Sequence, residues 1–193
     1  MFENSQPEEP FQTRRERRGS VKKKGGGILE FLIILIAAFT LVFGVIRPFV
    51  VEAFWIPSES MVHTLEVGDR VLTNKFIYDF TSPKRGDIVV FKSVEGSNEE
   101  LIKRVVGVPG DKISVQAGRL YVNNKLQKEP YVNKDLPDKS FFGPTKVPPN
   151  HVFCMGDNRA NSRDSRFFGP VPDRNIEGEA FLLFWPLNHL RLL

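Results

Sequence analysis

The sequence predicts a mainly β domain preceded by a single N-terminal transmembrane helix. Three observations carry this: an apolar run of about 19 residues from Ile28 to Ile46, a hydrophilic and basic segment before it, and short apolar segments separated by turn residues after it. The implied boundaries are a disordered cytoplasmic tail over 1–27, a transmembrane helix over 28–46 and an extracytoplasmic domain over 47–193.

The first segment mixes Pro, Glu, Gln and Arg and ends in Gly25-Gly26-Gly27, so it cannot bury enough surface to fold. Arg14, Arg15, Arg17, Arg18, Lys22, Lys23 and Lys24 concentrate here much of the excess behind a formal charge of +4. Positive charge gathered in a tail does not make a nucleic-acid-binding face, and no nucleic-acid partner is expected. At about 1.5 Å per residue the run from Ile28 to Ile46 nearly spans a hydrocarbon core of about 30 Å. Its one charge, Glu30, lies near the positive helix N-terminus and within reach of the interface. A cleavable leader has a shorter apolar stretch followed by a small-x-small site, and Arg47 to Ala53 offers no good site, so an uncleaved anchor is favoured. Basic residues before the helix and only Arg47 close behind it put the N-terminus in the cytoplasm and the domain on the outer face of the membrane.

Beyond Leu65, strands are expected at Asp69–Leu72, Gly86–Phe91, Ile102–Val106, Lys112–Gln116, Arg119–Val122 and His151–Met155. Ala117-Gly118 marks a hairpin and Asn123-Asn124 a further turn. Glu129 to Pro149, rich in Pro, Lys and Asp, reads as an extended excursion with little regular structure. Ala180 to Pro186 is too short to span a bilayer and reads as a core or interfacial strand, with Trp185 suited to an interface.

Chemistry is concentrated in three places. In Phe54 to Leu65, Pro57 fixes its own φ and holds Ile56 extended, presenting Ser58 and Ser60 on a backbone of limited freedom; Pro-Ser sequences are also common turn material. A serine nucleophile needs a base. His63 is near Ser60, yet no Ser, His and acid grouping stands out. A buried lysine with a lowered pKa is the alternative, and Lys103 sits among Ile102, Val105 and Val106. Strand alternation allows Lys103 to be buried while Arg104 is exposed, although the pair also reads as a solvated edge. The loop from Gly156 to Arg166 is dense in turn residues. Within it, Ser162 could orient a neutral lysine without raising its pKa, and Asp164 and Arg166 could pair to stiffen the loop. Cys154 is the single cysteine, so no intramolecular disulfide forms, and it reads as a small buried hydrophobe. His63, His151 and His189 are far apart, and neither a metal site nor a cofactor is expected.

Three motifs in this order, behind an apolar anchor, resemble the type I signal peptidases, the bacterial leader peptidases. They are Pro57-Ser58-Glu59-Ser60-Met61 with Thr64-Leu65; Lys103 through Asp111; and Gly156-Asp157-Asn158-Arg159 through Ser162 to Asp164-Ser165-Arg166, with Gly68-Asp69 and Gly86-Asp87 in support. The resemblance implies a domain of antiparallel sheets and an endopeptidase that removes signal peptides from exported preproteins after small-x-small sequences. It implies Ser60 as nucleophile, Lys103 as general base, Ser162 as the group orienting the lysine, and an oxyanion hole from the Ser58 hydroxyl and the Ser60 backbone N–H. The positions matching the substrate pocket are Phe54, Ile56, Pro57, Met61, Leu65, Leu101 and Ile102, which also read as ordinary core. Asp157, Asn158, Asp164 and Arg166 would support the site structurally. The implied partners are preproteins, the phospholipid bilayer and, functionally, the secretion machinery. The chain departs from the family in having His63 where proline is frequent, Ala160 where some members are acidic, and one apolar helix where some have two. A self-cleaving repressor-type Ser-Lys protease would be soluble with a DNA-binding region, and a non-cutting peptide-binding module would have no reason to bury a lysine beside two serines.

Overall fold

The computed structural model describes residues 27–46, 50–132 and 137–193. Of the tail expected over 1–27, all but Gly27 lies outside the described residues. The chain divides into two units, with the boundary between Ala38 and Phe39.

Helix α1 covers Ile28–Thr40, 13 residues, and passes into a π-helical stretch over Leu41–Ile46. At about 1.5 Å per residue α1 is about 20 Å long, short of a hydrocarbon core of roughly 30 Å. Among the described residues, no helix is long and apolar enough to cross a membrane. The helix expected over 28–46 is thus α-helical only to Thr40, where the wider register takes over; the Phe39 and Phe43 rings stack at 4.4 Å across that change. Its large apolar side chains from Ile28 to Phe43 are exposed.

The rest is β structure. In chain order the strands are β1 (Val51–Trp55), β2 (Arg70–Asn74), β3 (Ile88–Lys92), β4 (Glu100–Gly107), β5 (Lys112–Gln116) and β6 (Arg119–Val122). They continue with β7 (Lys125–Leu126), β8 (Phe142–Lys146), β9 (His151–Met155), β10 (Val171–Pro172), β11 (Ile176–Trp185) and β12 (Arg191–Leu192), with a one-turn helix α2 (Ser165–Phe168) between β9 and β10. Strands pair antiparallel throughout. One sheet has the order β1-β2-β11-β3-β4-β9-β10, with β12 on β11, and the other β7-β6-β5-β8.

Every segment expected as a strand is one, with shifted ends; the last begins at Ile176 rather than Ala180. Five strands were not foreseen: the two-residue β7, β10 and β12, and the longer β1 and β8. β1 follows the apolar run almost directly, where its own apolar residues read as a continuation. β8 corrects the reading of Glu129 to Pro149 as irregular: pairing with β5 overrides the local Gly143-Pro144 signal, and Pro144 is tolerated because β8 lies at a sheet edge. The hairpin at Ala117-Gly118 forms as expected, and the turn expected at Asn123-Asn124 closes a second one onto β7; both have positive φ at their two central residues, the backbone that tight hairpin turns require.

Alternation along the central strands feeds separate cores. Ile88 and Val90 of β3 join Ile102, Val71 and Leu183 in the core of the larger sheet, while Val89 and Phe91 face a second cluster with Val105, Val152 and Cys154. A third cluster places Val106, Phe153 and Met155 against the smaller sheet through Ile113, Val115, Leu120 and Val122. β4 and β9 therefore serve both sheets. Strand β4 is also divided along its length: Glu100 to Arg104 pair with β3, but pairing with β9 begins only at Arg104. Among the described residues no strand pairs with the other edge of β4 from Glu100 to Lys103. β1 and β4 are separated by three strands, yet residues from both line one cleft, so the larger sheet curls over its core.

Candidate active site

The chain leaves β1 at Trp55, and Ile56 is fixed by two backbone hydrogen bonds, its N–H to Asp69 O at 2.9 Å and its carbonyl from Gly68 N at 2.9 Å. Pro57 and the extended Ser58 lead into a single 3-10 turn, Glu59–Met61. Met61 and Leu65 anchor this turn in the core, leaving Ser60 8% exposed at its surface.

Lys103 reaches the same point from β4. It is 2% exposed, and its Nζ lies 2.7 Å from Ser60 Oγ and 2.8 Å from the Ile102 carbonyl oxygen. Burial pushes its pKa down to about 8, against the opposing pull of Asp164, Cys154 and Asp157. An amine so poised is available in its neutral form, which alone can accept a proton. Ser58 Oγ donates to Ser60 Oγ at 3.3 Å. Ser58 and Lys103 border a cleft of about 420 Å³ lined also by Phe54, Ile56, Pro57, Leu101 and Ile102 among others. Met61 and Leu65 do not line it. Both are wholly buried, so of their two readings, pocket and core, the structure supports core.

The loop after β9 packs behind Ser60. Asn158 donates from its backbone N–H to Ser60 O at 3.1 Å and from Nδ2 to Glu59 O at 3.1 Å. Gly156 is required by closeness: a Cβ there would lie 2.5 Å from Ser60 O and 2.3 Å from Ser162 Oγ. Asp164 caps α2 by accepting from the Arg166 backbone N–H, accepts from Gly156 N at 3.1 Å, and is gripped by the Arg166 guanidinium at 2.9 Å. The stiffening pair expected of Asp164 and Arg166 is present. Ser162 behaves differently: among the described residues its buried hydroxyl has no hydrogen-bond partner, and the second contact of Lys103 Nζ is the Ile102 carbonyl instead.

Asp157 is fully buried and forms a bidentate pair with Arg104, 2.7 Å at its shortest, while Thr64 Oγ1 donates to it at 2.6 Å. Alternation allowed Arg104 to be the exposed member of the Lys103-Arg104 pair, but it does not point into solvent. Its side chain is only 11% exposed, because Asp157, the Gly86 carbonyl and the Tyr131 ring all receive it. His63 is exposed, 3.6 Å from Glu66. His189 contacts Asp69 at 2.9 Å, and His151 contacts Pro149 O. Cys154 is buried, and burial pushes its thiol pKa up.

A family model described as signal peptidase, peptidase S26, matches residues 28–185. The signal peptidase I of Leptolyngbya laminosa is 47% identical over 152 residues, covering 75% of this chain and 74% of its own length. The chain belongs to the signal peptidase I family of serine endopeptidases. A probable signal peptidase I-2 of Synechocystis is 41% identical over 170 residues, covering 86% of this chain and 77% of its own length. A crystal structure of a signal peptidase I from Enterococcus faecalis superposes with a TM-score of 0.45 at 30% identity, covering 51% of this chain and 97% of that one. As a member of this family the protein removes signal peptides from preproteins as a serine protease.

In this signal peptidase the sequence reading missed the residues that brace the loop from outside. Arg159 is buried with its guanidinium on Glu129, 2.9 Å from Nη1 to Oε2, and its Nε donates to Gly156 O at 3.0 Å. Arg166 also pairs with Asp138 at 2.8 Å. Glu129 and Asp138 lie in the stretch read as irregular, with no periodicity to mark them. The one available signal was Arg159 itself, a cation beside residues destined for burial, which needs an acid somewhere.

Proposed function

We propose that Ser60 and Lys103 are the reacting pair of this signal peptidase and that they cleave preproteins after small-x-small sequences, Ala-x-Ala above all. The observation that carries the reading is the 2.7 Å approach to Ser60 Oγ of a buried amine that lines an apolar cleft and whose pKa is lowered to about 8. Ser60 Oγ attacks the scissile carbonyl carbon as its proton passes to Lys103 Nζ. The carbonyl oxygen becomes an anion, for which the Ser58 hydroxyl, 3.3 Å from Ser60 Oγ, and the Ser60 backbone N–H are the candidate donors. Collapse breaks the C–N bond, and the proton on Lys103 goes to the leaving amine. A water then gives its proton to Lys103 and attacks the acyl carbon; the acyl–Oγ bond breaks as Lys103 returns that proton to Ser60 Oγ, releasing the new carboxyl terminus and restoring the pair. The Ile102 carbonyl holds one N–H of Lys103, which helps aim the lone pair at Ser60. Ser162 is the second orienting group in this reading, its unmatched hydroxyl being free to turn toward the amine.

Phe54, Ile56, Pro57, Leu101 and Ile102 give the cleft an apolar wall suited to small side chains flanking the cut bond. The run over 28–46 serves as a single membrane anchor with the basic tail in the cytoplasm. Its exposed apolar face supports this, and the reacting pair is then held on the outer face beside lipid, where preproteins emerge from the secretion machinery.

Incubating the purified full-length protein in lipid vesicles with an Ala-x-Ala preprotein, and sequencing the product N-terminus, tests site and activity together. A new N-terminus immediately after Ala-x-Ala is expected, and its loss in folded Ser60→Ala. Product formed by Ser60→Ala would remove Ser60 as nucleophile. In Ser58→Ala, kcat should fall about 100-fold or more with KM little changed; an unaltered kcat would take Ser58 out of the oxyanion hole.

A further inference from the structure

The 156–166 loop is braced from two directions. From within, Asp164 ties Gly156 N to Arg166. From outside come two carboxylates of the smaller sheet's connecting segment, Glu129 after β7 and Asp138 before β8. Glu129 receives both Nη atoms of Arg159, whose Nε donates to Gly156 O and whose own carbonyl accepts from Arg166 Nη2 at 2.7 Å. Asp138 receives Arg166 Nη1. Asp138 is itself fixed: it accepts from Ser140 N at 2.8 Å, and its carbonyl occupies the space a Cβ on Gly118 would fill, 2.0 Å away. A rigid line therefore runs from the β5–β6 turn through Asp138 and Arg166 to Arg159 and Glu129. At its centre is Gly156, packed against the Ser60 carbonyl.

All four side chains are nearly excluded from water: Arg159 1%, Glu129 9%, Arg166 6% and Asp138 10% exposed. A buried guanidinium deprived of its carboxylate cannot stay where it is without a large penalty, so the loop would shift to rehydrate it. That loop donates to Ser60 O and carries Ser162, but contributes nothing to the walls of the cleft. The two functions are thus separable by residue.

We infer that Glu129 and Asp138 are positioning residues for the reaction, through which the smaller sheet holds the loop behind Ser60 in register and governs turnover rather than substrate affinity. The inference rests on Ser60 and Lys103 being the reacting pair. A shift of the loop by a fraction of its contacts' length moves the Ser60 backbone relative to Lys103, and reactions depend steeply on such placement.

The test uses the full-length protein in lipid vesicles with a preprotein substrate. Glu129→Gln and Asp138→Asn should each lower kcat by about 10- to 100-fold with KM held within about twofold. Arg159→Gln should lower it similarly, and Glu129→Gln combined with Arg159→Gln should be no worse than Arg159→Gln alone, because the two act as one unit. If Glu129→Gln does not fold, Glu129→Asp, which keeps the charge but shortens the reach, takes its place with the same split expected. Unchanged kcat in a folded Glu129 variant, losses that multiply in the double variant, or KM rising in step with the fall in kcat would each overturn the inference. Ser60→Ala run in parallel separates the two layers: activity surviving there sinks the reacting pair, whereas a dead Ser60→Ala beside a fully active Glu129→Gln sinks only the bracing role.

Discussion

Strands β4 and β9 of the larger sheet send side chains into the core under the smaller sheet as well, yet the two sheets differ in what they enclose. The cluster under the smaller sheet is apolar throughout: Val106, Ile113, Val115, Leu120, Val122, Val147, Phe153 and Met155. Its one buried charged neighbour is Asp111, just before β5, whereas around the larger sheet the buried set includes Ser60, Lys103, Asp157, Asn158, Arg159, Ser162 and Asp164 among the described residues. One region is built for stability, and the other accepts buried charge and sets the Ser60 hydroxyl beside an amine. Lys103 measures the difference. Moving its pKa from 10.5 to about 8 corresponds to about 3 kcal/mol set against the folded state at neutral pH.

The largest effect that could break this contrast is Lys103→Met. Peptidase activity should vanish, while the melting temperature at pH 7 should rise by several degrees, because the penalty of burying the charge is removed. A lower melting temperature would mean that Lys103 stabilises the fold and that the two regions are not opposed in this way. The sign follows from linkage. Below about pH 8 folded and unfolded chains both carry the proton and the penalty is full; between about 8 and 10.5 the folded state sheds it and stability rises with pH; above 10.5 both are neutral.

The same ionisation sharpens the contrast kinetically. At constant substrate, kcat should fall roughly tenfold per pH unit below about 8 as the amine protonates. Lys75 is shifted the other way: hydrogen-bonded to Glu52, its pKa is raised. A profile flat from pH 8 to pH 6 with the fold intact would remove Lys103 as the base. The smallest kinetic effect belongs to the smaller sheet's core. Leu120→Ala should lose about 2–5 kcal/mol of stability, seen as a lower melting temperature, yet leave kcat of the folded protein unchanged. A fall in kcat at temperatures well below the transition would show that core packing and chemistry are not separable here.

Most strands were legible in the sequence because period-two apolar patterns and turn pairs such as Ala117-Gly118 are local signals. Lys103 was legible for the same reason, its apolar neighbours making a charged side chain costly there. What escaped was non-local. β8 exists because β5 is beside it, despite Pro144. Met61 and Leu65 carry the same residue types as the cleft wall, and only packing separates core from wall. Arg104 looked like the exposed partner of Lys103 because alternation says which face a side chain takes, not what waits there. Asp157 and Tyr131 were waiting. Ser162 is the reverse case: its place in the loop was readable, but its lack of a hydrogen-bond partner is not a property any sequence pattern carries.

The half-paired edge of β4 has a further implication. A polypeptide laid along Glu100 to Lys103 could be held by peptide groups, which are the same in every protein, leaving side chains to be judged only where they dip into the cleft. Recognition divided in that way would be generous by construction: under the small-x-small specificity proposed above, a grammar of two small residues in an extended segment, indifferent to vocabulary elsewhere. An enzyme built on it could serve a whole exported proteome with one binding surface.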